Sequence, residues 1–237
     1  MRGPSADVVK PLFIEVCAGS CRMAKAFQDQ GWRAFGVDHR FNRHVPVAPC
    51  LQIDVASPEG QATCDFVLKS EALGCIGFEP PCGTSSRARE RPVKDLDGRP
   101  APKPLRSDDF PLGLPHLEGK ELRRVLAANA IYRYCAEKAK QYNGKCGWYL
   151  ENPGNSIMWM IPFIEALASL PGVFDVLYHA CMHGGSRPKW QRVRTNIKGL
   201  EILAAMCDGP HPHLPWKPFF ADGVRVFSTA KEAAFPW

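Results

Sequence analysis

Short apolar runs alternate with helix-length amphipathic segments along most of this chain, and that alternation restricts the fold more than any other feature. The run 11–18 (PLFIEVCA) ends in Gly19-Ser20. The segment 21–31 follows, with Met23, Ala26 and Phe27 at helical spacing and Gly31 as a stop. Strands are expected at Arg33–Asp38, Leu51–Val55, Cys75–Phe78, Gly147–Leu150 and Phe174–Tyr178, with Val193–Ile197 as the last. Helices are expected over Glu59–Glu71, Gly119–Tyr142 and roughly Met160–Leu170. Strands joined by helices pair in parallel through right-handed crossovers, so the expected class is a doubly wound, mostly parallel α/β sheet of Rossmann-like type. The 237 residues are 45% hydrophobic, enough for one domain with a proper core spanning 1–237.

No apolar run approaches the roughly 20 residues that cross a bilayer, and the opening MRGPSADVVK lacks a secretory core. The expectation is a soluble intracellular protein with no membrane partner, nuclear in a eukaryote and cytoplasmic in a prokaryote or virus. Ten cysteines are then read as reduced thiols, several of them inside strand-like runs where cysteine acts as a small hydrophobe. A formal charge of +6 permits nucleic-acid binding without demanding it.

In doubly wound sheets ligands bind beyond the carboxyl ends of the strands, and the chemically capable residues here fall there. Gly19 lies in a small-residue turn after the first strand, with Asp38 closing the second and Asp54 the third. A lone glycine argues against a phosphate-cradling dinucleotide site. An adenosyl cofactor needs only close backbone approach and an acid for its ribose hydroxyls. Pro80 and Pro81 stiffen the turn that presents Cys82, either as an activated thiol or as an ordinary structural cysteine. Glu151 ends the fifth strand, where a carboxyl can meet a base edge or act as general acid; the alternative is a helix-capping Asn152 beside a solvated Glu151. Arg192 and Arg194 alternate and share one face, suiting a phosphate or a keto oxygen, or simply a solvated edge strand.

Residues 84–117 are rich in proline and arginine and carry no periodicity, which suggests a mobile lid following the Cys82 turn rather than a tolerated insertion. Cys181, His183, Cys207, His211 and His213 offer thiols and imidazoles at close spacing. The spacing matches no standard zinc finger, however, and the prolines and glycine make an ordinary turn, so no metal is assigned.

Taken in order, EVCAGS with GVDHR, EPPCGTSS, ENP, WQRVR and VFSTAKEAAFP resemble the blocks of the DNA (cytosine-5) methyltransferase family, over Phe13 to Pro236. The resemblance implies a class I methyltransferase fold that binds S-adenosyl-L-methionine through Cys17, Ala18, Gly19, Ser20, Asp38, Asp54 and Pro80. It also implies that the Cys82 thiolate attacks carbon 6 of cytosine, Glu151 serves ring nitrogen 3, and Arg192 or Arg194 steadies the keto oxygen. The implied partner is double-stranded DNA, with Ser85, Arg87, Arg89 and Arg91 gripping it while the target base leaves the stack. The sequence departs from the family in having Ser20-Cys21 for its second glycine and Trp190 for a glutamine. A short segment, 198–237, stands where a large recognition region is usual, and the usual final helix is missing. Those departures keep two alternatives open: a catalytically silent nucleic-acid-binding relative, and a cytosine-5 methyltransferase of RNA. They also suggest further segments of a larger polyprotein or a separate subunit.

Overall fold

The computed structural model describes residues 9–90, 102–217, 219–221 and 224–231. Its elements in chain order begin with β1 (Leu12–Val16), α1 (Arg22–Asp29), β2 (Arg33–Asp38), β3 (Cys50–Gln52), α2 (Pro58–Leu68) and β4 (Leu73–Phe78). They continue with α3 (Gly119–Tyr142), β5 (Gly147–Pro153), α4 (Pro162–Glu165), β6 (Phe174–His179) and β7 (Trp190–Thr195). A small hairpin, β8 (Phe219–Ala221) with β9 (Val224–Val226), and a final turn of helix, α5 (Ser228–Lys231), complete the described chain.

β1 to β7 form one seven-stranded sheet in the order β3-β2-β1-β4-β5-β7-β6. The first five pair in parallel, while β7 runs antiparallel to both β5 and β6. This is a doubly wound, Rossmann-like topology, and the order reverses between β1 and β4, which opens a crevice at their carboxyl ends. The antiparallel seventh strand follows from chain length. Only residues 180–189 join β6 to β7, and a parallel return needs a dozen or more residues.

Strand alternation sorts the core. Leu12, Ile14 and Val16 face α2 and α3, joining Cys64, Leu68, Tyr132 and Cys135. Phe13 faces the other way, onto α1, and stacks on Phe27 with centroids 3.9 Å apart. Ser57 accepts a hydrogen bond from Gly60 N, which with Pro58 sets the start of α2. The helix expected over 160–170 is instead broken into a 3₁₀ turn at Ile157–Met160, α4, and a second 3₁₀ turn at Ala166–Ser169. Pro162, which lacks an N–H, restarts the coil. The third strand is shorter than expected and stops at Gln52.

Close approach rather than torsion fixes Gly36. A Cβ there would lie 2.4 Å from Cys21 Sγ and 2.6 Å from Ala18 Cβ. Gly36→Ala should therefore lower unfolding free energy by about 1–3 kcal/mol in denaturant titration, because two packed neighbours must shift. Among the described residues no helix is long and apolar enough to cross a membrane.

Candidate active site

The crevice has two walls. One is the turn from β1 into α1, where the backbone is left-handed at Cys17 (φ 62°), Gly19 (φ 52°) and Cys21 (φ 56°). Cys21 thus takes the conformation that glycine adopts without strain, at a cost of about 1–2 kcal/mol. The turn is held from several sides. Ala18 N donates to Val37 O (3.1 Å) and Cys21 N to Ala18 O (2.7 Å). Gly19 N donates to Asp38 Oδ2 (2.7 Å), and Asn42 Nδ2 to Gly19 O (2.5 Å). Beneath it, Glu15 Oε2 accepts Ala24 N (2.6 Å) at the start of α1.

Asp38 therefore shapes the turn, with its other oxygen accepting His39 N (2.7 Å). Asp54 is exposed just past β3, next to Asp38 through the bond from Ile53 N to Asp38 O (2.9 Å). Cys17 brings only its backbone to the crevice, since its thiol is hydrogen-bonded to Cys135 in the core. Ser20 is half-buried on the turn, and its carbonyl accepts Val47 N (2.9 Å).

The other wall is the turn after β4. Glu79 N donates to Val16 O (3.0 Å), Asn152 Nδ2 to Pro80 O (2.9 Å) and Tyr132 OH to Pro81 O (2.6 Å). Cys82 then heads a 3₁₀ turn (Cys82–Thr84), and its carbonyl accepts Ser85 N (3.0 Å) and Ser86 N (2.9 Å). The thiol is thus presented, half-buried, from a backbone pinned on both sides. Asn152 does not cap a helix; it fastens the Cys82 turn to β5.

Charge at the site is concentrated in three side chains. Burial pushes the Cys82 thiol up, the Lys189 ammonium opposes that, and Glu151 reinforces it. Burial likewise raises the Glu151 carboxyl, against Lys189 and a hydrogen bond from Gln191. Oε1 of Glu151, Oδ1 of Asn152 and Oε1 of Gln191 are buried without a hydrogen-bond partner, as is Nε of Arg192. Unpaired buried polar atoms are costly in isolation. Glu151 and Gln191 share one face of the sheet and together form a lining suited to a polar guest, whereas Asn152 and Arg192 lie on the other face.

Behind this lining Glu15 and Glu79 are hydrogen-bonded to each other, and Tyr149 OH donates to Glu79 Oε1 (2.8 Å). Burial raises both acids, Glu15 to about 7 and Glu79 well above the usual carboxylate range. The folded state consequently holds a proton that the unfolded chain releases near 4.5, and stability present below pH 4.5 is lost as pH rises through 7. Unfolding free energy should fall by roughly 2–3 kcal/mol across that window, and Glu15→Gln should flatten the slope in denaturant melts taken from pH 4.5 to 8.

Not every expected site residue reaches the crevice. Arg192 and Arg194 share a face, but Val193 is the residue opposite Glu151, so the arginines occupy the other side of the sheet. Both are paired with Asp175 and lie over Trp159, and Arg194 is also bonded to Ile164 O (2.7 Å). Ser85, expected on the nucleic-acid surface, is corrected: it is fully buried and bonded to Tyr132 OH (3.0 Å) and Ser156 Oγ (2.9 Å). Arg87 is held by Asp108, Glu90 and Asn155 O, and Arg89 by Lys103 O (2.8 Å). Arg91 lies outside the described residues.

The stretch 84–117 is also more structured than a bare lid over its described part. Leu105 and Leu117 pack on Val125. The buried Arg106 is bonded to Thr84 Oγ1 (3.0 Å), Asn129 Oδ1 (2.7 Å) and Pro111 O (2.7 Å) and lies over Tyr132. Sequence reasoning missed Arg106, Tyr132 and Lys189. Only Lys189 left a signal, standing in the same basic block as the two arginines.

No family model matches this chain, and no curated protein matches it. Among solved structures it is similar to a Spodoptera frugiperda DNMT2 mutant, with 12% identity over 86% of this chain and 56% of that one, at a TM-score of 0.44. It is also similar to the S. pombe Dnmt2 methyltransferase, with 9% identity over 80% and 51% at a TM-score of 0.43. For the Entamoeba histolytica methyltransferase EhMeth the figures are 8%, 78%, 52% and 0.41. The chain spans about half the length of each of these proteins.

Proposed function

We propose that this chain is an S-adenosyl-L-methionine-dependent methyltransferase acting on carbon 5 of cytosine in DNA through a covalent Cys82 adduct. The observation that carries the reading is the buried, unpartnered carboxyl oxygen of Glu151 beside a thiol held at the tip of a pinned Pro-Pro-Cys turn. The strained turn of residues 17–21, which packs so closely on β2 that Gly36 admits no Cβ, fits an adenosyl ligand approached by backbone. Ala18, Gly19 and Ser20 would border it, Asp38 and Asp54 would face its ribose and adenine, and Pro80 would close the side. When bound, the cofactor supplies an electrophilic methyl group.

Carbon 5 of cytosine is too electron-poor to take that methyl group unaided. Attack by the Cys82 thiolate on carbon 6 moves ring electrons toward carbon 5. Glu151, whose protonated form burial favours, donates to ring nitrogen 3 and takes up the charge that develops there. After transfer a base removes the carbon 5 proton, and Cys82 leaves as the ring double bond re-forms. Lys189 is the cation that draws the thiol toward its reactive form. Arg192 and Arg194, on the opposite face from Glu151 and both paired with Asp175, anchor β7 to β6 and take no part in holding the base. Arg87, Arg89 and Arg91 are assigned to phosphates, the first two exchanging their present partners for the backbone of the flipped strand.

The test is transfer of labelled methyl groups to matched DNA and RNA duplexes, with products read by nucleoside mass spectrometry. 5-Methylcytosine in the DNA supports the reading, product in RNA alone moves the substrate class, and absence of both with no cofactor binding overturns it. Within an active enzyme, Lys189→Met should shift the acidic limb of the pH–rate profile to higher pH, since the thiol loses the charge that lowers it.

A further inference from the structure

Away from the crevice, two segments converge on one point. Cys181 lies in the 3₁₀ turn Ala180–His183 that follows β6, and Cys207, His211 and His213 lie beyond the turn Leu200–Leu203. One ligand atom from each of these four residues lies within 4.8 Å of all the others. Cys207 Sγ is 3.4 Å from His211 Nε2 and 3.5 Å from His213 Nε2, and the Cys181 thiol is hydrogen-bonded to Cys207.

A tetrahedral zinc ion, with bonds of about 2.3 Å to sulfur and 2.0–2.1 Å to nitrogen, sets its S···N edges at about 3.5 Å. The two Cys207 edges, 3.4 and 3.5 Å, match that spacing. We propose that Cys181, Cys207, His211 and His213 bind one zinc ion as a closed, structural two-thiolate, two-imidazole site. With all four positions filled by protein there is none left for a substrate, so the ion staples rather than catalyses. Binding converts both thiols to thiolates, and their two protons pass to solvent.

The surrounding bonds show what is stapled. His179 N donates to Ala205 O (2.9 Å), Cys207 N to His179 Nδ1 (2.8 Å) and Leu214 N to Ser186 O (2.9 Å). Gly209, at φ 89°, turns the chain between Cys207 and the two histidines. The clip thus ties the segment after Leu203 to the end of β6 and to the 184–189 connection, whose Lys189 carbonyl accepts Ala180 N (2.9 Å). His183 is not part of the set. Its Nε2 is bonded to Leu203 O (2.9 Å), and its ring sits edge-on to Tyr178 at 5.1 Å.

The experiment is metal analysis of the full chain purified from zinc-supplemented medium, followed by reconstitution of the stripped protein with Co(II) alone. Expected are one zinc per chain in the parent and in His183→Ala, and less than a tenth of that in Cys207→Ser and in the His211→Ala/His213→Ala double variant. Cobalt should give the visible absorption of a tetrahedral thiolate-ligated ion. A parent chain that folds yet takes up neither metal overturns the proposal, as does full zinc content in Cys207→Ser. Should a variant fail to fold, the cobalt spectrum of the parent decides alone, an octahedral or thiolate-free spectrum counting against the site.

Discussion

Replacing Cys82 by serine should abolish methyl transfer, a loss of about ten-thousand-fold or more, while leaving the fold and cofactor binding in place. The two parts of that expectation rest on different observations. Loss of transfer follows because a serine hydroxyl is a far weaker nucleophile than a thiolate. Survival of the fold follows because the turn is positioned by its backbone. Pro80 O, Pro81 O and Cys82 O accept from Asn152, Tyr132, Ser85 and Ser86, and none of those bonds involves the thiol. Initial rates of methyl incorporation, with calorimetric binding of the cofactor in parallel, check both parts.

Glu151→Gln should slow transfer by roughly a hundredfold to ten-thousandfold, the range that a positioned proton donor contributes. Burial favours the protonated form of the Glu151 carboxyl, and the isosteric amide fills the same space but cannot deliver a proton. A second readout separates this role from a structural one. Alkylation of Cys82 by iodoacetamide should continue at about the parent rate in the variant while methylation slows, because the bonds that hold the Cys82 turn do not involve the Glu151 side chain. A distorted site would slow both.

Much of this arrangement could be read in the sequence, for a physical reason. Strand alternation and helical spacing are local, so β1, β2, β4, β5 and β6 and the long α3 are visible in short windows. Cys82 and Glu151 were legible because they end strands, where a doubly wound sheet must place its ligands. Pairing partners are not local. The alternation of Arg192 and Arg194 puts them on one face, but only the register of Glu151 against Val193 reveals which face it is. Ser85 and Arg106 misled or escaped notice for the same reason. Both sit in a stretch without periodicity, and what buries them is a distant helix, through Tyr132 and Asn129. Lys189 was hidden between two residue types that drew attention to themselves, and only the short return from β6 to β7 brings it near the thiol.

The proposed bond between Cys82 Sγ and carbon 6 of a cytosine can be trapped. Incubation of the chain with S-adenosyl-L-methionine and duplex DNA carrying 5-fluorocytosine leaves the last elimination without a proton to remove. A denaturing gel should then show a protein–DNA band that survives boiling and is absent for Cys82→Ser. A chain that methylates cytosine yet forms no such band, or forms it equally in Cys82→Ser, would contradict the account.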